Sequence, residues 1–223
     1  MSQAAASETS AGGLRERKKE RTRRLIAERA RELFVARGFE AVPVAEIARA
    51  AEVSEQTVFN YFPTKEDLVY WRLGSFEEEL LSTVRERETG EPALAAFRRF
   101  LMAQRGLLGR AEPEAADQLA AMSRMISASP ALLAREEQIF ARYTESLAEL
   151  LAAEQGLAPR DVEAQLAASA MIGLHRALVH YTRARVLEGA RPPRLAREVG
   201  QQAERGFARL EAAWGDYAVK RPG

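Results

Sequence analysis

Apolar residues recur at three- and four-residue spacing along almost the whole chain, and no stretch of useful length alternates apolar with polar residues. That periodicity confines the fold to packed helices, so the predicted class is all-α. Clusters of helix-breaking residues divide the pattern: ETGEP (88–92), GRAEPE (109–114), SASP (127–130), QGLAP (155–159) and EGARPP (188–193). Between them fall helices near 92–108, 114–127, 130–155, 159–187 and 193–214. With four more before residue 88, the total is about nine. At 223 residues and 47% hydrophobic content the chain can bury a substantial core.

The front of the chain packs three helices into 62 residues. The first is predicted over Leu14–Arg37, with Ile26, Ala30, Leu33 and Phe34 on one face. Gly38 follows where a left-handed C-terminal cap belongs, which lets Phe39 fold back onto Phe34. The second starts near Pro43 and buries Val44, Ile47, Ala48 and Ala51. After the turn Ala51-Glu52-Val53, Ser54 is the N-cap of the third, and Pro63 ends it by disfavouring helical geometry at Phe62. Thr64 and Asp67 then form a capping box that opens a long fourth helix reaching Arg87.

The third helix, within SEQTVFNYFPTKEDL (54–68), carries an unusual surface. Val58 and Phe62 set its buried direction; Gln56 and Asn60 point the opposite way, with Thr57, Phe59 and Tyr61 flanking them. A short helix, a tight turn and a second helix with an outward polar and aromatic face have the organisation of a helix-turn-helix. The residue types suit that use. Asn and Gln pair bidentately with adenine, Thr and an aromatic edge meet a thymine methyl, and Tyr donates to phosphate. Lys65 adds a positive charge at the next helix start. Charge distribution points the same way: residues 1–65 hold 12 Lys/Arg against 9 Asp/Glu, although the whole chain has a net charge of only +1. Arg17, Lys18 and Arg21 belong to a basic run suited to DNA backbone or minor-groove contact. By charge alone that run is equally a solvated helix face.

Other classes find less support. With no cysteine and only two histidines, there is neither a disulfide framework nor a thiolate site. His175 and His180 are five apart and do not share a helix face, so no metal and no cofactor is expected. HExxH, P-loop, GxSxG and cysteine-nucleophile patterns are absent, and the expectation is a protein that is not an enzyme. The longest apolar stretch, LAASAMIGL (166–174), is half of the ~20 residues a membrane span needs. Residues 1–13 read as a disordered tail without a secretory pattern, so a soluble, cytoplasmic protein is expected. A membrane-surface role for the basic first helix conflicts with the use of its apolar face in the head core.

ARELFVARGFEAV, AEIARAAEVS and above all TVFNYFPTKEDL resemble the TetR family of transcriptional regulators, over Leu14 to Trp71; the helical body is similar to the family only in outline. The resemblance implies a homodimer on double-stranded DNA with a palindromic operator, and bodies that hold a small-molecule effector and the dimer interface. Carried over, Gln56, Thr57, Phe59, Asn60, Tyr61 and Lys65 are the DNA contacts. Two departures stand out. Val42 and Pro43 replace the paired threonines that open the second helix in many relatives, and Glu52 stands where a turn glycine is common.

The expected division is 1–13 tail, 14–63 helix-turn-helix head, 64–88 connecting helix and 89–223 ligand-binding and dimerisation body. In the body, Leu195, Val199, Ala203, Gly206, Phe207, Leu210 and Trp214 form an apolar stripe, and Ala167, Ala168, Ala170 and Gly173 permit close helix approach. Both features serve a dimer or an internal core equally well. Phe97, Phe100, Met122, Met125, Phe140, Tyr143, Met171 and His175 are the candidate effector-binding neighbourhood, with Met102 and Tyr181 beside them. The functional expectation is a ligand-responsive repressor released by an apolar or aromatic effector. An activator or an effector-independent regulator of the same fold is the alternative, and a helical enzyme or membrane-surface protein a remote one.

Overall fold

The computed structural model describes residues 4–104 and 113–221. Among them are nine α-helices: α1 (Ala4–Arg37), α2 (Val44–Ala50), α3 (Glu55–Tyr61), α4 (Leu73–Arg85), α5 (Ala93–Ala103), α6 (Pro113–Ala128), α7 (Pro130–Gln155), α8 (Val162–Leu187) and α9 (Arg194–Trp214). The described residues form no β-strand beyond an isolated bridge between Pro92 and Val219. The class is all-α, as the periodicity requires. The end of the helix expected near 92–108 and the GRAEPE break lie partly outside the described residues.

The chain divides into two compact units, Met1–Trp71 and Arg72–Gly223. In the first, α1 begins ten residues before Leu14, at Ala4, while residues 1–3 lie outside the described set. Its packed face starts later: Ile26, Ala27, Ala30 and Phe34 are buried, and Phe39 returns onto Phe34 with ring centroids 5.1 Å apart. Gly38 (φ +85°) makes that return possible, its N–H donating to Phe34 O at 2.8 Å. Arg37 then fastens α1 to α2 with a two-pronged ion pair to Glu46, at 2.8 and 2.7 Å. Ile47 and Ala48 of α2 and Val58 of α3 complete the small core.

The junction between α2 and α3 is tight. Val53 N–H donates to Ala48 O and Glu52 N–H to Arg49 O, the paired bonds of a Schellman cap, which force the intervening residue into the left-handed region. That residue is Glu52, at φ +55°. Ser54 caps α3 through Thr57 N–H at 3.1 Å, and Phe62 is extended before Pro63.

The fourth helix differs from expectation. Thr64 and Asp67 do exchange capping bonds, at 3.0 and 3.3 Å, but they close only a 3-10 turn, Glu66–Leu68. The α-helix begins at Leu73. Leu68 and Tyr70 are both buried, and residues two apart lie on opposite sides of an α-helix, so the chain leaves helical geometry to bury both.

In the second unit, α7 and α8 form the most extensive pair, with α9 and α6 also on α8, α4 on α5 and α7, and α5 on α9. Leu80, Val84, Phe97, Leu132, Tyr143, Leu147, Leu151, Ala167, Ala168 and Phe207 are fully enclosed. Ala167 and Ala168 therefore serve this internal core. α8 and α9 meet closely at Gly206, where an added Cβ would lie 2.3 Å from Leu174 Cδ1. Arg87, buried at the end of α4, pairs with Glu154 of α7 at 2.7 Å and donates to Ala218 O at 2.8 Å and Glu91 O at 3.1 Å. Gly90 and Glu91 exchange backbone bonds with Lys220, so the final segment is tied to the α4–α5 turn.

Candidate nucleic-acid interface and the body cluster

α3 presents the surface its sequence indicates. Val58 and Phe62 are buried, whereas Gln56, Phe59 and Asn60 are exposed and Thr57 and Tyr61 are partly so. Phe59 leaves 42% of its surface in solvent, a large aromatic that the head core does not use. Gln56 Nε2 donates to Asn60 Oδ1 at 3.1 Å, one turn apart. That bond leaves the Asn60 amide N–H as donor and the Gln56 carbonyl as acceptor, the complement of adenine's major-groove edge. Thr57 Oγ1 is held 2.8 Å from Ser54 Oγ, so the N-cap also orients this candidate DNA-contact side chain.

The flanking cations divide into two kinds. Arg17, Lys18 and Arg21 are exposed on α1. Arg23 lies over the Phe62 ring at 5.6 Å. Lys65, assigned by sequence to phosphate, instead turns its ammonium inward: it donates to Phe39 O at 2.6 Å and sits 4.3 Å from the Phe39 ring centroid. Desolvation lowers its pKa. Its evident work is to hold the loop after α1 against the 3-10 turn. Val42 is buried and Pro43 precedes α2 without a side-chain cap, so no hydroxyl is offered there.

In the body, the predicted effector-binding residues separate. Phe100 (α5), Tyr143 (α7) and His175 (α8) come together around Phe76 of α4, and Phe140 (α7) meets Tyr143 and His175 edge-on. Phe97 faces elsewhere, with its ring 6.0 Å from Phe207 of α9. Met171 is buried on α8, and Met122 and Met125 are partly exposed on α6. Met102 lines a surface groove between α5 and α9 with Arg98, Glu204 and Phe207, and Tyr181 lines another between α8 and α9. Phe76 is not among the residues the sequence singles out, although Leu73, Phe76 and Leu80 recur at helical spacing.

Tyr143 Oη donates to Leu73 O at 2.5 Å, and Glu77 accepts from Arg142 Nε and Ser146 Oγ, each at 2.8 Å. The first turn of α4 is thus held by α7. His175 is mostly enclosed, its Nδ1 is buried without a hydrogen-bond partner among the described residues, and desolvation pushes its pKa down to about 4. His180 lies apart, 3.6 Å from Glu136, which also pairs with Arg183. No group of three or more metal-ligating side chains occurs among the described residues, and no described helix is long and apolar enough to cross a membrane.

A helix-turn-helix head followed by a helical body defines a class of regulatory fold, and comparison with known proteins specifies the family. The sequence profile of bacterial regulatory proteins of the tetR family matches residues 26–70, and that of the MftR C-terminal domain matches 91–191. The chain belongs to the TetR family. It is 36% identical over 105 residues to the HTH-type transcriptional regulator TcmR of Streptomyces glaucescens, 47% of this chain and 46% of that one. To the HTH-type transcriptional regulator LuxR of Vibrio harveyi it is 54% identical over 44 residues, 20% of this chain and 22% of that one. It thus spans less than half the length of these curated relatives. The fold is similar to NalD, the secondary repressor of the MexAB-OprM multidrug efflux pump in Pseudomonas aeruginosa, with TM-score 0.53, 20% identity and coverage of 85% of this chain and 96% of that one.

Proposed function

We propose that this protein is a DNA-binding transcriptional repressor that acts as a homodimer on a palindromic operator and is released by a small apolar or aromatic effector. The observation that carries the reading is the exposed Gln56–Asn60 pair beside solvent-exposed Phe59, on the second helix of a helix-turn-helix. Residues 14–63 read DNA, with Gln56, Asn60, Thr57, Phe59 and Tyr61 at base edges and phosphates. Arg17, Lys18 and Arg21 supply the salt-dependent backbone term. Residues 64–88 connect the head to the effector-binding and dimerising body, 89–223.

The dimer follows from the need to place two reading helices one DNA turn, roughly 34 Å, or a multiple apart. Its proposed seat is the outer groove of about 570 Å³ between α8 and α9, where Leu174, Leu178 and Tyr181 face Gln202, Arg205 and Arg209. Release is a population shift: an effector that binds better to a body whose heads are misplaced depletes the DNA-competent state. Selection from a random DNA pool tests this reading. Wild type should enrich one inverted repeat that an Asn60→Ala, Tyr61→Ala double variant does not; weak binding shared by both proteins, without enrichment, refutes it.

A further inference from the structure

Phe76 stands in the first turn of α4 and meets rings from three other helices. It stacks on Tyr143 of α7 (centroids 5.4 Å apart, planes at 23°) and on His175 of α8 (4.7 Å, 24°), and meets Phe100 of α5 edge-on at 5.0 Å. One flat side chain from α4 thus fills a place built to hold a flat ring. The same place has an unmet polar demand, because His175 Nδ1 is buried there without a partner among the described residues. A buried acceptor left unpaired is a standing cost that an incoming donor removes. Enclosure holds the imidazole neutral down to about pH 4, and in the tautomer that keeps its proton on Nε2 the lone pair lies on Nδ1, free to accept.

We propose that Phe76 occupies the effector's own position: a planar aromatic compound carrying a hydroxyl displaces the Phe76 ring, stacks on His175 and Tyr143 in its stead, and donates a hydrogen bond to His175 Nδ1. This rests on the reading of the body as effector-binding, and adds to it the chemical class of effector and the residue through which it acts. Displacement has a mechanical consequence. Phe76 lies in the turn whose start is fixed by the Tyr143–Leu73 bond, and whose next residue, Glu77, is fixed by Arg142 and Ser146. Moving the ring loosens that turn, and the chain runs from there through Arg72 directly to Trp71, the last residue of the head unit. The effector therefore competes with a side chain that belongs to the connecting helix.

The test uses two probes that differ by one hydroxyl, 2-naphthol and naphthalene, titrated calorimetrically into the full-length chain and its variants. Wild type is expected to bind 2-naphthol at least tenfold more tightly than naphthalene. In His175→Phe that preference should vanish while naphthalene affinity stays within about threefold. Phe76→Ala, and Phe76→Leu as the milder replacement, should bind both probes at least tenfold more tightly, because the competing ring is gone. A hydroxyl preference that is absent in wild type or survives His175→Phe overturns the proposal, as does failure of both Phe76 variants to gain affinity. Occupancy of the selected operator is followed separately. Naphthol binding that leaves the operator occupied refutes effector release while supporting the displaced ring; release by other compounds when neither probe binds refutes the displaced ring alone.

Discussion

Glu52→Gly should stabilise the head, and the reason lies in how four helices end. α1, α7 and α8 each stop at a residue in the left-handed region, and in all three it is glycine: Gly38 at φ +85°, Gly156 at +67° and Gly189 at +89°. α2 stops the same way at Glu52, φ +55°, with the cap bonds Val53 N–H to Ala48 O at 2.9 Å and Glu52 N–H to Arg49 O at 3.2 Å intact. A side chain in that conformation costs roughly 1–2 kcal/mol through the clash of Cβ with the neighbouring carbonyl. Glycine removes the clash but gives the unfolded chain more freedom, which offsets roughly 0.4–1 kcal/mol. The net expectation is a gain of about 0.5–1 kcal/mol, or roughly 2–8 °C for a unit of this size. Urea unfolding of the full chain in a Trp214→Phe background, followed by Trp71 fluorescence, reads the head alone. Glu52→Ala is the decisive control, since it deletes the charge and keeps Cβ. If alanine stabilises as much as glycine, or glycine destabilises, the strain argument is wrong.

Ser54→Ala removes the cap of α3 and the partner of the Thr57 hydroxyl, and should lower head stability by about 1 kcal/mol in the same unfolding assay. Arg87→Ala leaves Glu154 without its buried partner and the final segment without its anchor at Ala218 O; a loss of roughly 3–5 kcal/mol, seen as a lower thermal midpoint, is expected. Tyr143→Phe should cost about 1 kcal/mol by deleting the bond to Leu73 O, measured by calorimetric unfolding. His175 gives a pH dependence: its folded pKa of about 4 lies below the ordinary histidine value of 6.5, so the unfolded chain binds the extra proton between them. The stabilising effect is complete above pH 6.5 and is lost as pH falls towards 4, a decline on the order of 2–3 kcal/mol that His175→Phe should flatten in urea titrations at stepped pH.

Local signals were readable where one residue's chemistry decides the outcome. Ser54, Gly38 and the Phe39 return onto Phe34 follow from short-range capping and packing, and α7, α8 and α9 lie between the breaks the sequence marks. The Thr64–Asp67 box was legible, but its consequence was not. The burial of Leu68 and Tyr70, a tertiary demand, stops the helix after one 3-10 turn. The bond from Lys65 to Phe39 O was illegible for a similar reason, since the two residues are 26 apart. Periodicity says which residues of α5 are buried without saying against what. Phe97 turns to Phe207 and Phe100 to Phe76, so one predicted pocket became two packing environments. The Arg87 anchor joins segments 131 residues apart and leaves no local trace.

Base-edge reading by α3 is measured directly by affinity for the selected operator and for random duplex across a salt series, with Asn60→Ala and Arg21→Ala beside wild type. Asn60→Ala should lose about 1–3 kcal/mol on the operator, leave random DNA unaffected and keep the salt slope. Arg21→Ala should weaken both duplexes alike and reduce the slope by about one. An Asn60→Ala protein that binds operator and random DNA in the wild-type ratio would show that α3 does not read base edges through Asn60.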